Sequence, residues 1–314
     1  MSTRREFIGS VGAVAIGSTL SVRAVPGMPF HLSVLTDEIS PDLGRACEVA
    51  AREFGLQWVE LRAMHGTNIM EWDAADVAEA RKILERYQLQ VSELASPVFK
   101  TDWPGAPKSP FSPKNQLFRN DLTLEQQNEL LDHAIDLAKT FSTPYVRIFD
   151  FWRLEDQTPH RTAIDDCLRG AAINAGRKGV TLTIENELDC NTATGAEAAR
   201  LLNAIPERSL MLNWDPGNAT ARGEKAFPDG YAKLPKNRIA HVHCKDLVER
   251  GGWKTDWMAM GKGIIDWAGQ FRALAKDGYR GEVSLETHWR GGGTPEESTR
   301  QSMAGMRVLL EKAQ

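Results

Sequence analysis

The stretch that decides the fold is residues 180–187, Val-Thr-Leu-Thr-Ile-Glu-Asn-Glu. Because side chains alternate across a strand, its three apolar side chains point one way, and its two threonines and Glu185 point the other. This pattern predicts a strand whose apolar face packs on helices. Its other face ends in a carboxylate, as in a barrel strand that leads into a site.

Three later segments repeat this pattern in the same phase. Residues 210–215 end in Asp215, residues 239–245 carry His243, and residues 282–286 end in Glu286, each on the face away from the apolar residues. Four consecutive strands therefore bring Glu, Asp, His and Glu to one end of one sheet. Three carboxylates and one imidazole form a hard, oxygen-rich set that predicts one divalent metal, Mn²⁺ first, with Mg²⁺, Co²⁺ or Zn²⁺ as alternatives.

Strand and helix patterns alternate along the whole chain. Four earlier strands are predicted near residues 31–39, 58–62, 90–96 and 144–149, and helix starts are marked by Ser40-Pro41 and by Thr123 with Gln126. Eight strands and eight helices in strict alternation predict an α/β fold, a (β/α)8 TIM barrel built as a single domain. Long connections are predicted on the face where barrel active sites lie, at residues 97–113, 216–235 and 246–263.

The first 24 residues differ from the rest of the chain. Arg4 and Arg5 precede an apolar run, residues 8–20, and Val22-Arg23-Ala24 resembles a small-residue cleavage site. This pattern predicts a twin-arginine signal peptide over residues 1–24, a barrel over residues 25–314, and a periplasmic or otherwise exported protein. A buried N-terminal helix is the alternative, which the glycines in the run disfavour. The run is too short to span a bilayer, so no stable membrane association is expected after signal removal.

Charge and cysteine usage exclude some classes of protein. The chain has 38 Lys and Arg against 42 Asp and Glu, a net charge of −4. Removal of residues 1–24 would leave 35 and 41, a net charge of −6. An acidic protein is a poor candidate for binding a phosphate backbone, so no nucleic-acid partner is expected. The four cysteines show no CxxC pairing, which favours ordinary buried thiols over disulfides or zinc ligands. The sequence leaves open whether the chain forms an oligomer.

A set of motifs in chain order resembles the xylose isomerase-like TIM barrel superfamily: Thr183-Ile-Glu-Asn186, Trp214-Asp-Pro-Gly-Asn218, His241-Val-His-Cys-Lys-Asp246, Met260-Gly-Lys-Gly-Ile-Ile-Asp-Trp267 and Ser284-Leu-Glu286. That superfamily includes sugar phosphate isomerases and epimerases, keto-inositol dehydratases and nucleases of the AP endonuclease family 2 type. The resemblance covers essentially all of the chain after residue 24. It implies the same metal ligands as the strand pattern: Glu185, Asp215, His243 and Glu286.

The resemblance also implies a reaction. In the epimerases of this superfamily the two metal-bound glutamates remove and return a proton, and the matching pair is Glu185 and Glu286. The expected protein is a divalent-metal-dependent sugar isomerase or epimerase that abstracts a proton next to a carbonyl through a metal-stabilised enediolate. A keto-sugar dehydratase or keto-glycoside lyase acting by β-elimination is the alternative on the same site. A hydrolytic nuclease and a non-catalytic sugar-binding protein are further alternatives.

Two residues bear on the choice between these reactions. Lys245 and Asp246 resemble the His-x-Lys-Asp signature of the dehydratase and isomerase branches, which makes Lys245 a third catalytic candidate. Lys245 would stabilise an enolate oxygen or protonate a leaving hydroxyl, and a structural ion pair with Asp246 or Glu187 is the alternative. Asn218 stands where sugar 3-epimerases usually carry a second histidine, which argues against a plain ketose epimerase.

Other polar and aromatic residues are predicted on the site face as contacts for a small carbohydrate substrate. Aromatic rings there would stack on a sugar, although packing of loops onto the rim is the alternative. His241 is equally well explained as a hydrogen-bonded interior histidine. The predicted substrate contacts are Glu60, Arg62, Trp103, Arg147, Asn218, His241, Trp257 and His288.

Overall fold

The computed structural model describes residues 27–113, 122–251 and 254–314, so the predicted export signal over residues 1–24 lies outside the described residues. Within them, eight strands form one sheet, and helical segments separate most of them along the chain. We number these strands in chain order: β1 His31–Val34, β2 Trp58–Leu61, β3 Gln90–Leu94, β4 Tyr145–Ile148, β5 Thr181–Glu185, β6 Leu210–Trp214, β7 Ile239–Cys244 and β8 Glu282–Leu285.

The sheet curls into a barrel. Its strand order is β1-β8-β7-β6-β5-β4-β3-β2, and a parallel bridge between Leu35 and Glu60 joins its two ends. The paired strands are parallel, with Ser284 of β8 opposite His243 of β7 and Glu185 of β5 opposite Asn213 of β6. The predicted single-domain (β/α)8 TIM barrel is confirmed.

The long helices begin at side chains that cap them. The Thr123 hydroxyl accepts a hydrogen bond from the Gln126 backbone, and the Gln126 side chain accepts one from Thr123, which confirms the predicted capping box. Thr194 and Glu197 make the same arrangement. The main helices are Leu43–Glu48, which continues as a π-helical turn Val49–Glu53, then Ala74–Tyr87, Leu124–Thr140, Arg161–Arg177, Gly195–Ala204, Trp267–Lys276 and Pro295–Ala313.

The first strand and the helix after it differ from the prediction. The strand expected over residues 31–39 ends at Val34, and the chain then makes one helical turn, Thr36–Ile39. The helix cap is Asp42 rather than Ser40, because the Asp42 carboxylate accepts a hydrogen bond from the Arg45 backbone at 3.0 Å. Alternation of residue types does not show where a strand bends into a turn, so the boundary was placed too late.

Two connections predicted to be irregular contain regular structure. After β6, the chain forms a short helix, Pro216–Ala221, with Asp215 as its N-cap, followed by Tyr231–Lys233. After β7, Asp246–Gly251 and Lys254–Met258 form an antiparallel hairpin. None of the helices in the described part of the chain is long and apolar enough to cross a membrane.

The barrel interior is polar. The apolar side of each strand packs outward on the helices, as Leu182, Leu212 and Val283 do, and these residues belong to the main hydrophobic core. The opposite side fills the barrel with side chains that are at most 1% exposed. Branched apolar residues usually dominate such interiors. Here the interior holds Ser33, Glu60, Ser92, Glu93, Thr183, Asn213, His241, His243 and Ser284.

Candidate active site

Three carboxylates and one imidazole meet at the carboxyl end of the barrel. Nδ1 of His243 lies 3.3 Å from Oε1 of Glu185, 3.8 Å from Oδ2 of Asp215 and 3.3 Å from Oε2 of Glu286. One donor atom from each of the four residues lies within 4.8 Å of the others, and all four side chains are buried. The four residues could therefore hold one divalent ion between them.

The strands deliver these side chains for a simple geometric reason. Glu185 is the last residue of β5, and Asp215 and Glu286 directly follow β6 and β8. His243 lies near the end of β7. Because parallel neighbours end at one rim, residues of the same phase in four adjacent strands converge there. The prediction from alternation alone therefore places all four residues in one cluster.

Both glutamates are held by partners outside the four ligand candidates. Arg147 Nη1 lies 3.1 Å from Oε2 of Glu185, and Arg62 Nη1 donates to Oε1 of Glu286 at 3.0 Å. The Asn218 side chain donates to Oε1 of Glu185 at 3.1 Å. The two arginines and Asn218 therefore orient the acids rather than leave them free.

The helix after β6 orients the aspartate. The Asn218 backbone donates to Oδ1 of Asp215 at 2.8 Å, and the Asn186 side chain accepts from the Asp215 backbone at 2.7 Å. Capping fixes Oδ1 outside the cluster, so Oδ2 is the oxygen that faces His243. The Asp-Pro-Gly-Asn sequence therefore starts the helix and also orients Oδ2 of Asp215 as a candidate metal ligand.

Below the imidazole lies a second polar layer. Nε2 of His243 is 3.1 Å from both carboxylate oxygens of Glu60, which also contacts Nε2 of His241 at 3.3 Å and accepts from Ser284 at 2.8 Å. A carboxylate behind a ligating histidine fixes the ring orientation and tautomer. Glu60 therefore directs Nδ1 of His243 toward the three acids.

Lys245 enters the same cluster. Its ammonium group lies 2.7 Å from Oδ2 of Asp215 and 2.7 Å from Oε2 of Glu286, and the residue is 2% exposed. The structural alternative, an ion pair with Asp246 or Glu187, is not what the structure shows, because among the described residues Lys245 pairs with Asp215 and Glu286, and Glu187 pairs with Lys100. Asp246 instead accepts backbone hydrogen bonds from Gly261 and Gly263 at 3.0 and 2.9 Å, which anchors the loop after the hairpin.

The charges shift the protonation equilibria of the cluster. Burial alone raises the pKa of Glu185, but the His243 and Arg147 cations lower it to about 2. Burial likewise raises the pKa of Glu286, but Lys245, His288 and His243 hold it well below its usual value. Burial raises the pKa of Asp215 to about 6, with the two glutamates adding to the effect and Lys245 opposing it. Both glutamates are therefore ionised at neutral pH, as proton acceptors must be.

A cavity of about 520 Å³ lies beside the cluster, and of the four ligand candidates it is Glu286 that lines it. The lining also includes Arg62, Arg147 and the rings of Phe149 and Trp257. The volume lies in the range of small-molecule sites. The remaining lining residues are Glu38, Asn68, Pro97, Lys100, Phe111, Pro113, Trp152, Glu187, Leu188, Asp189 and His288.

The structure places the predicted substrate contacts in three groups. Arg62, Arg147 and Asn218 touch the ligand candidates, and Trp257 and His288 lie on the cavity wall with ring centroids 4.9 Å apart. A second group, Glu60 and His241, lies wholly buried inside the barrel under His243. The last is Trp103, which packs edge-on against Phe151 at 4.7 Å and is absent from the lining of this cavity.

Sequence reasoning missed several cavity residues. Lys100 lies 3.2 Å from Glu187 and its ammonium group is 4.4 Å from the centre of the Phe149 ring. Phe149 has the same phase as Arg147 at the end of β4, and that signal was available in the sequence. Nothing in the sequence places Lys100, because it lies in a connection without periodicity.

Comparisons with known proteins identify the family. A family model described as "Xylose isomerase-like TIM barrel" matches residues 49–309, so the chain belongs to this family. No curated protein matches the chain. The resemblance drawn from the sequence motifs is thereby confirmed.

Solved structures share the fold at low identity. The chain is 16% identical to the probable 3-DHS dehydratase AsbF of Bacillus anthracis, with 89% of this chain and 98% of that chain covered at a TM-score of 0.67. It is 17% identical to the IolI protein with a bound zinc atom, with 91% of this chain and 99% of that chain covered at a TM-score of 0.70. It is also 17% identical to D-allulose 3-epimerase from Methylomonas sp., with 91% of this chain and 97% of that chain covered at a TM-score of 0.64.

Proposed function

We propose that the protein is an enzyme that binds one divalent cation and isomerises or epimerises a sugar by abstracting a proton next to a carbonyl. The observation that carries this proposal is the convergence of Glu185, Asp215, His243 and Glu286 in one buried cluster, with Glu286 lining a cavity of about 520 Å³. Family membership supports it, because an epimerase and a protein with bound zinc share the fold.

The residues present fit a cation. Oδ2 of Asp215 and Oε2 of Glu185 are buried and accept no hydrogen bond, although each has a cation nearby. Carboxylate oxygens with one imidazole suit Mn²⁺, Mg²⁺ or Co²⁺, and Zn²⁺ also accepts this set. We propose Mn²⁺ as the first ion to test. A cation held here would polarise a substrate carbonyl and so make the neighbouring C–H more acidic.

Glu185 and Glu286 are the proposed base and acid. They come from the two outer members of four adjacent strands, so they flank the ligand cluster from two sides. A carboxylate whose pKa is about 2, as for Glu185, is ionised but is a weak base. Proton abstraction by such a group therefore depends on how strongly the carbonyl is polarised.

The cavity suits an uncharged carbohydrate. Its cations already have acidic partners: Arg62 with Glu286, Arg147 with Glu185 and Lys100 with Glu187. Sugar hydroxyl groups can form hydrogen bonds with cations that are already paired with acids, whereas a phosphate would require cations that are not paired. The Trp257 and Phe149 rings offer apolar faces for the sugar ring.

Elimination is the second candidate function. Lys245 is a buried ammonium 5.4 Å from the centre of the Trp257 ring, close enough to the cavity to protonate a leaving hydroxyl or alkoxide. Asn218 occupies the position at which a plain ketose epimerase would have a second histidine. The probable dehydratase AsbF shows that the same fold is associated with loss of water elsewhere.

Product analysis in D₂O separates the candidates. The protein, supplied with Mn²⁺, is incubated with a panel of keto-sugars and keto-glycosides. An isomerase or epimerase returns an isomer with deuterium on carbon, and a lyase returns a product that has lost water or the aglycone. Glu185→Gln and Glu286→Gln should abolish turnover, while Glu53→Gln, in an outer ion pair with Arg300, should not. The isomerase or epimerase would be refuted by the absence of carbon-bound deuterium and of any isomer with every compound, and the lyase by the absence of any product that has lost water or the aglycone.

We propose that the protein is exported by the twin-arginine route and acts in the periplasm or outside the cell. The support is the sequence of residues 1–24 with Arg4 and Arg5. Cell fractionation tests this directly. The wild type should appear in the exported fraction without residues 1–24, and the double change Arg4→Lys, Arg5→Lys should retain it in the cytoplasm. Equal distribution of the two proteins would contradict export.

A further inference from the structure

The Lys245 side chain has an unusual position for a lysine. It is 2% exposed, and its ammonium group lies 2.7 Å from Asp215 and 2.7 Å from Glu286. Lysine is rarely buried unless it is paired. Here its two partners are two of the four candidate metal ligands.

The ammonium group holds the oxygens that a metal would use. Oδ2 of Asp215 and Oε2 of Glu286 are the atoms that face Nδ1 of His243, at 3.8 and 3.3 Å. The opposite oxygens are already engaged, since Oδ1 of Asp215 caps a helix and Oε1 of Glu286 accepts from Arg62. Neither acid therefore has a spare oxygen to offer in place of the one that Lys245 holds.

We propose that Lys245 is a built-in competitor of the divalent cation. This inference rests on the proposed function. It adds that the ammonium group of Lys245 and a divalent cation compete for the same donor oxygens of Asp215 and Glu286. Two cations cannot share those oxygens at close range without strong repulsion in a buried site. Lys245 must leave at least one carboxylate when a divalent cation is held there, so metal affinity is lower than the four ligands alone would give.

The lysine stem packs against a glycine. A Cβ atom at Gly217 would lie 2.5 Å from Cγ of Lys245, so the absence of a side chain at position 217 is what admits the stem here. On the cavity side, the nearest ring centre lies 5.4 Å from the ammonium group and belongs to Trp257, which lines the cavity. A released ammonium group would therefore remain beside the substrate, and metal loading would place Lys245 for catalysis.

Calorimetric titration with Mn²⁺ tests the competition. Metal-free wild type is compared with Lys245→Met, which keeps the length of the stem without the charge. The matched control is Lys100→Met, because Lys100 pairs with Glu187 at 3.2 Å, and Glu187 is outside the four candidate ligands. We expect Lys245→Met to bind Mn²⁺ at least tenfold more tightly than wild type, and Lys100→Met to stay within about threefold of it. Equal or weaker binding by Lys245→Met, with wild type binding Mn²⁺, would overturn the inference.

Two further measurements keep the test decisive. If Lys245→Met is too unstable without metal, it is folded with Mn²⁺ and its affinity is obtained by competition with a chelator, with the same tenfold expectation. A wild type that binds no Mn²⁺ beside a Lys245→Met that binds one equivalent would support the competition and overturn the proposed function. Failure of both proteins to bind Mn²⁺ would overturn both.

Discussion

Replacement of Glu60 by Gln should weaken metal binding although no candidate ligand is itself replaced. Both Glu60 oxygens lie 3.1 Å from Nε2 of His243, and the residue is fully buried. In the structure, burial opposes ionisation of His243, but Glu60, Glu185 and Glu286 together raise its pKa well above the usual value. Glu60 and the side-chain nitrogen of Asn213, 3.0 Å away, both contact Nε2, so Nδ1 is the nitrogen that faces the acids, and Glu60 is the charged one of these two partners.

The size of the effect follows from the hydrogen bond. A bond to a charged acceptor contributes about 1.5–3 kcal/mol, and one between neutral groups about 0.5–1.5 kcal/mol. Gln at position 60 keeps an acceptor oxygen but loses the charge, so the loss should be about 1.4 kcal/mol, a tenfold weaker affinity for Mn²⁺. Ala at position 60 removes the acceptor as well and should cost up to about a hundredfold, as for other partners behind ligating histidines.

Calorimetry with Mn²⁺ measures this directly, and Ser284→Ala is the matched control. Ser284 donates to Oε2 of Glu60 at 2.8 Å but has no contact with His243 among the hydrogen bonds of the described residues. It should change the affinity by less than about threefold. An unchanged affinity in Glu60→Gln, with circular dichroism showing a folded protein, would refute the assignment of Glu60 as the residue that orients His243.

Three further predictions follow from the same geometry. Although burial opposes it, Glu60, Glu185 and Glu286 raise the pKa of His243 well above its usual value, and burial raises the pKa of Asp215 to about 6. Because metal binding needs both groups without their protons, Mn²⁺ affinity should fall as pH falls, and more steeply below about pH 6 than above it; a titration series with no pH dependence would contradict this. Trp257→Ala should raise KM about fivefold with little change in kcat, since it removes only a stacking surface of about 1 kcal/mol, and steady-state kinetics would show a fall in kcat instead if the ring had another role. Burial raises the pKa of Glu197, but hydrogen bonds from Arg153 and backbone amides lower it below its usual value. The charged form therefore stabilises the fold above the ordinary pKa of a glutamate, and this stabilisation is lost as pH falls through the lowered pKa. Glu197→Gln should cost about 1–2 kcal/mol of unfolding free energy at pH 7 and progressively less as the pH is lowered, as measured by denaturant unfolding across that range.

The strand pattern predicted the face on which each residue lies, but not its depth. Alternation with period two identifies Glu60, His241 and His243 as inward-facing, and all three are inside the barrel. Two residues along a strand advance the chain by about 6.6 Å, so His241 lies one layer below His243. Depth depends on where each strand begins relative to its neighbours, and that stagger is set by tertiary packing.

The connections were the least predictable part. Trp103 lies in a Pro-rich connection, where no periodicity relates sequence position to direction, and it packs on Phe151. The loop after β6 was predicted to be irregular, although Asp215, Pro216 and Asn218 carry the cap and first-turn signals of a short helix. The same residues were interpreted as a metal-site motif, and the two roles coincide in one stretch of sequence.

Diffraction from crystals soaked in Mn²⁺, recorded at the manganese absorption edge, tests the central claim most directly. The account predicts one anomalous peak per chain, within about 2.0–2.4 Å of Nδ1 of His243 and of one oxygen each from Glu185, Asp215 and Glu286. A strong peak at another place in the protein, or no peak while the ammonium group of Lys245 still bridges Asp215 and Glu286, would contradict it.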